Sequence, residues 1–88
     1  MEMRSFDQEL IYAILCEINA CMDRGVLPLQ DDDLRHLSEN GEILEYLIFM
    51  KHERLIGGAV VTRGINNTPH RMTNISLTHL GRRALQLS

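Results

Sequence analysis

The sequence predicts an α+β domain in which three helices precede a β-hairpin and a further helix closes the chain. Three observations predict it. Apolar residues recur at helical spacing between residues 10 and 22, two β-rich runs flank a Gly-, Asn- and Pro-containing stretch between 55 and 77, and Thr78 opens a last amphipathic run. Eighty-eight residues support one domain, 1–88, with a small core that buries about 60–65% of the extended surface. At 44% hydrophobic and 24% charged residues the composition is that of an ordinary globule.

The first helix is expected over about 5–23. Ser5 and Gln8 have capping-box spacing, and Leu10, Ile11, Ile14, Leu15, Ile18, Cys21 and Met22 form one apolar face. Gly25 is placed to take the left-handed conformation that ends it. Val26 to Leu29 is a short extended link, because Pro28 biases its predecessor away from helix. Asp31, Asp32 and Asp33 then offer an N-cap and first-turn acids for a short second helix running to about Ser38. Ligand spacing argues for capping and against a calcium loop. After the turn Ser38–Gly41, residues 42–54 form a third helix, giving a helix-turn-helix over about 31–54.

Leu55 to Arg63 and Met72 to Leu77 read as two strands, with 64–70 as a loop that Pro69 helps to bend. Thr78 caps the last helix, expected to about residue 87, with Leu80, Ala84, Leu85 and Leu87 facing the core and Gly81 allowing close approach to the body. A hairpin (55–77) following a helix-turn-helix is the layout of a winged helix-turn-helix.

The chain resembles known families at two places. Leu77-Thr78-His79-Leu80-Gly81 looks like the L-T-x-x-G ending of small winged-helix regulators of the MarR and PadR types. Tyr12-Ala13-Ile14-Leu15-Cys16-Glu17-Ile18 is similar to the first helix of the YjcQ-like group of prophage and bacterial winged-helix proteins. The resemblance implies a small DNA-binding regulator or phage-type accessory protein. One departure stands out: Arg54 occupies the place of a glycine before Leu55-Ile56. Left-handed backbone there would strain an arginine by about 1 kcal/mol, so either the helix ends differently or Gly57-Gly58 makes the turn.

Charge divides the chain. Residues 1–50 hold three arginines against eleven acids, a net of −8, whereas residues 51–88 hold six bases against Glu53, a net of +5. Such asymmetry suits a polyanion-binding face, although acids and bases paired across the fold would produce it too. Cys16 and Cys21 lie about 140° apart on a helix, which favours buried thiols over a disulfide. The histidines lack metal-ligand spacing, and no P-loop, Gly-x-Ser-x-Gly or Cys–His pair is present. No enzyme activity, cofactor or metal is therefore expected. No apolar run could span a bilayer and the N-terminus is unlike a signal peptide, so a cytoplasmic protein without membrane contact is expected.

The candidate DNA-binding residues are Arg63, Asn66, Asn67, His70 and Arg71 in the wing, with Arg82 and Arg83 flanking it. In the helix 42–54, with Ile43, Leu44, Leu47 and Met50 facing the core, the outward side shows Glu45, Tyr46, Phe49 and His52 beside Glu42, Ile48 and Glu53. That face is acidic and lacks Arg, Asn or Gln for bidentate base contacts. Its surplus of apolar residues fits a homodimer or a protein partner docking on 42–54, or simple packing beneath the wing. Two readings follow: a double-stranded-DNA-binding protein gripping the backbone through its wing, and a protein–protein module with no nucleic-acid role.

Overall fold

The computed structural model describes residues 6–26, 28–38 and 41–86. Helix α1 (Gln8–Asp23) is followed by a 3-10 helix (Asp31–Leu37), helix α2 (Ile43–His52), strands β1 (Ile56–Arg63) and β2 (Thr68–Leu77), and helix α3 (His79–Gln86). The strands pair antiparallel as a two-stranded hairpin, so the chain is α+β with a layout compatible with a winged helix.

Ile11, Ile14, Leu15, Ile18 and Cys21 of α1 are buried and define the main face of the core. Leu29, Leu34, Ile43, Tyr46, Leu47 and Met50 join them, with Ile56, Met72, Ile75 and Leu77 closing it from the hairpin side. Met72 and Ile75 are three residues apart, yet both point inward. The register explains this: from Gly57↔Ser76 to Ala59↔Thr73, β2 spends one residue more than β1, and Asn74 adopts φ +55°. The extra residue is a bulge that restores the inward face. A second irregularity, between Val61↔Arg71 and Thr62↔Pro69, sets His70 out of register.

Several expectations are corrected. Asp7 caps α1, its Oδ1 accepting from Glu9 N at 2.9 Å; Ser5 and Leu87 lie outside the described residues, as do Glu39 and Asn40 of the second turn. The aspartate run does not precede its helix but begins it, Gln30 being the N-cap, and the helix is 3-10. The hairpin loop is Gly64–Asn67 rather than 64–70, because Thr68 and Pro69 already pair with Arg63 and Thr62 and His70 lies within β2. Cys16 is exposed, whereas Cys21 is buried. Leu80 is exposed rather than core-facing.

Both long helices end in the same way. Gly25 N donates to Met22 O (3.1 Å) and Val26 N to Cys21 O (2.9 Å); Arg54 N donates to Lys51 O (3.0 Å) and Leu55 N to Met50 O (2.9 Å). These are Schellman pairs, which need a left-handed residue. Gly25 takes φ +76° without strain, and Arg54 takes φ +64°. Neither sequence alternative for Arg54 is adopted, because tertiary contacts hold the corner. Thr78 Oγ1 donates to the Arg54 carbonyl, Thr78 N donates to the Leu55 carbonyl (3.2 Å), and Gly81 N donates back to Thr78 Oγ1 (3.1 Å). A β-carbon on buried Gly81 would collide with the Leu55 carbonyl oxygen, so only glycine permits this approach.

Candidate nucleic-acid interface

The distal hairpin leaves the body. Every residue from Val61 to His70 is exposed, and Gly64 O accepts from Asn67 N (3.3 Å) to close the turn. Gly64 (φ +80°) and Asn67 (φ +52°) supply the left-handed positions that this turn requires. Arg63, Asn66, Asn67 and His70 are thereby collected at one protruding end, as the sequence suggests.

Arg71 is not among them. Its guanidinium turns to the outer edge of β2, where it pairs with Asp32 and donates to Gln30 Oε1 (3.1 Å), with Nε 3.6 Å from Asp31. Nε is buried without a hydrogen bond of its own. Asp31, fully buried, is the centre of this arrangement. Its Oδ1 accepts from Met72 N (3.2 Å) and its Oδ2 from Arg35 Nη2 (2.9 Å). Leu29 O takes a second outward donor of the same strand, Ile75 N, at 2.9 Å. The segment 29–32 therefore covers the outer edge of β2, and its acids neutralise Arg71 and Arg35. Burial pushes the Asp31 carboxyl up, but the Met72 amide and the two arginines outweigh it and hold its pKa below the ordinary value.

Arg82 and Arg83 are exposed on α3. β2 runs from Thr68 to Leu77 between the tip and α3, a path of about 30 Å at about 3.3 Å per residue. They do not join the tip cluster.

The α2 surface also differs from expectation. Tyr46 is buried and its hydroxyl accepts from Asp7 N at 2.9 Å. Phe6 stacks on Phe49, with ring centroids 4.2 Å apart, and meets Tyr46 edge-on at 4.9 Å. Tyr46 is thus closed to DNA and to partners, and Phe49 is half-buried against Phe6. The misassignment has a simple cause: Tyr46, not Leu44, completes the inward stripe with Ile43, Leu47 and Met50, because residues preceding α1 return to cover it. Glu45 remains exposed.

What the sequence reading missed is a cleft of about 400 Å³ between the end of α2 and β1, lined by Ile48, Lys51, His52, Arg54 and Val60. Among the described residues none of these three basic side chains is paired with an acid. The left-handed turn at Arg54 brings the helix end beside the strand, so Lys51, His52 and Arg54 meet Val60 there, whereas Arg63, three residues further along β1, lies on the other face of the strand. The only sequence hint was the run of bases at the end of the helix, which usually signals dipole compensation alone. A second concavity of about 580 Å³ lies between α1 and α3, lined by Gln8, Glu9, Ile11, Tyr12, Leu15, Leu55 and Ala84.

Elsewhere, Glu17 meets Arg24 (3.6 Å) and His36 (3.7 Å), and burial followed by the Glu17 charge raises the Cys21 pKa. Among the described residues no group of three or more His, Cys, Asp or Glu could hold a metal ion, and no helix is long and apolar enough to cross a membrane. No protein-family model, curated protein or solved structure matches the chain.

Proposed function

We propose that this is a small winged-helix protein that binds double-stranded DNA chiefly through its phosphates, as a transcriptional regulator or accessory factor. The observation that carries the proposal is the basic cleft between α2 and β1, formed by Lys51, His52 and Arg54, at the base of a hairpin whose exposed tip adds Arg63, Asn66, Asn67 and His70. A helix end and a β-ribbon converging on one groove suit a duplex, since cations neutralise phosphates and displace counterions. Paired aspartates on the far edge of β2 leave this side free of the densest acidic run. Glu45 on α2 and Glu53 just after it limit base reading, so affinity exceeds sequence discrimination. The reading rests on this geometry rather than on the likeness of the L-T-x-x-G ending to MarR, PadR or YjcQ-like chains.

Fluorescence anisotropy with a mixed-sequence 30-base-pair duplex at 50 and 200 mM salt tests it. Binding should weaken steeply with salt, and replacing Lys51 and Arg54 by alanine should flatten the log–log slope by about 2. Absence of binding at 50 mM salt rejects the DNA reading.

The α1/α3 concavity favours a second, compatible role in dimerisation. Tyr12 beside it is 42% exposed and Leu80 on α3 is 45% exposed. Glu9 stands on the α1 side and Arg83 on α3, so a two-fold axis would set unlike charges opposite each other. Sedimentation equilibrium, with Tyr12→Glu as the disrupting variant, tests this homodimer.

A further inference from the structure

Of the large apolar side chains that are exposed among the described residues, Tyr12, Val61 and Leu80 retain 42–45% of their surface, whereas Ile65 retains 100%. It occupies the turn that closes the hairpin, within the exposed stretch 61–70. Isolated exposed aliphatics are common on protein surfaces. This one differs in its setting. A turn apex ordinarily carries Pro, Asp, Asn, Ser or Gly, each of which favours the turn, and isoleucine offers it nothing. The turn itself is secured without Ile65, by left-handed Gly64 and Asn67 and by the Asn67 N–Gly64 O bond. Ile65 therefore adds no buried contact to the fold, and Arg63 and Asn66 flank it in the chain on the same exposed tip.

We infer that Ile65 is a wedge that enters the DNA minor groove and partly unstacks one base step, while Arg63 and Asn66 hold the flanking backbone. This inference rests on the DNA-binding reading above. An apolar side chain bracketed by cationic and amide groups matches the two surfaces such a step presents: flat base faces within, phosphates and base-edge acceptors outside. Isoleucine is among the side chains that wedge in this way, and the insertion kinks and unwinds the duplex. Flexible pyrimidine–purine steps yield most easily, so they would be preferred without a base-specific hydrogen bond. The protrusion of residues 61–70 supplies the reach, since the body need not follow the tip into the groove.

Unwinding can be read without knowing the site. The full chain is bound to a closed circular plasmid, the plasmid is relaxed with a type I topoisomerase, and the linking number is measured after protein removal. The wild type should lower the linking number in proportion to protein bound. Ile65→Ala should bind within about threefold of the wild type, because lost contact and recovered stacking offset one another, yet leave the linking number unchanged. Ile65→Phe should restore unwinding. Binding by the wild type without a linking-number change, or equal unwinding by Ile65→Ala, overturns the wedge and leaves the DNA reading intact; Ile65 would then be assigned to a protein contact. No binding at 50 mM salt removes the wedge together with the reading on which it rests.

Discussion

Arg63 and Arg71 stand on the two strands of one hairpin, and by sequence they are interchangeable cations of a basic wing. Arg71 faces the outer edge of β2 and is engaged by Asp31, Asp32 and Gln30. Arg63 lies on the exposed distal part of β1 with no acid paired to it among the described residues. One arginine attaches the strand edge to the 3-10 helix, and the other is available to a ligand. The lesson is that charge available for binding is the charge left after the fold has used its share, and that share is set by which acids tertiary packing brings near.

The comparison breaks most severely at Asp31. Asp31→Ala removes the acceptor of the Met72 amide and leaves Arg71 and Arg35 without their shared partner, so a loss of about 3–5 kcal/mol is expected. A domain of this size has only about 4–13 kcal/mol in total, and thermal denaturation would show the fall at once. The pH dependence has a definite sign. Because the folded pKa of Asp31 is lowered, its contribution is fully present above the ordinary value of 3.8 and is lost as pH falls through the folded value. Acid denaturation of Asp31→Ala should accordingly start from a lower plateau and change less below about pH 4. A wild-type-like acid transition in that variant would show that the aspartate is not the group that matters.

Next in size is Gly81→Ala, which tests the other attachment of the hairpin to the body. A methyl group aimed at the Leu55 carbonyl cannot be relieved by a rotamer change, so about 2–3 kcal/mol should be lost despite alanine's better helix propensity. Chemical denaturation measures it.

The arginine pair itself gives the sharpest contrast. Arg71→Ala should cost about 1–2 kcal/mol of stability, since its guanidinium is partly exposed, and leave the salt dependence of DNA binding unaltered. Arg63→Ala should cost less than about 0.5 kcal/mol and flatten the salt slope by about 1 for every sequence tested. Anisotropy titrations of both variants decide this, and equal slopes would erase the distinction. Arg54→Gly is the one change expected to act in the opposite direction. It should raise stability by about 0.5–1 kcal/mol by relieving the left-handed arginine, while weakening binding through loss of a cleft cation. A variant gaining stability and losing affinity would mean that residue 54 carries strain for the sake of its charge.

Much of the fold was legible because its signals are local. Helical spacing in α1, Gly25 at its end and the cap that Thr78 gives α3 each act within a few residues of themselves, and each is found where local chemistry puts it. The hairpin was legible in outline. Its register was not, because the bulge at Asn74 is chosen by the need to bury both Met72 and Ile75 against α1 and α2. The candidate interface was legible only in part. Arg63, Asn66, Asn67 and His70 share a short loop, whereas the Lys51–Arg54 cleft exists because an arginine accepts a glycine's conformation. That acceptance depends on Thr78, more than twenty residues away.

The sequence by itself thus determined the order of helices and strands, the tip of the hairpin and the surplus of bases in the second half. Tertiary structure alone decided that Asp31 is buried, that Tyr46 points inward and that Arg71 and Arg63 part company. The physical reason is common to all three. Each depends on a partner some forty residues distant or on a strand edge needing to be covered, and a one-dimensional pattern records what a residue is but not what it will be brought to face.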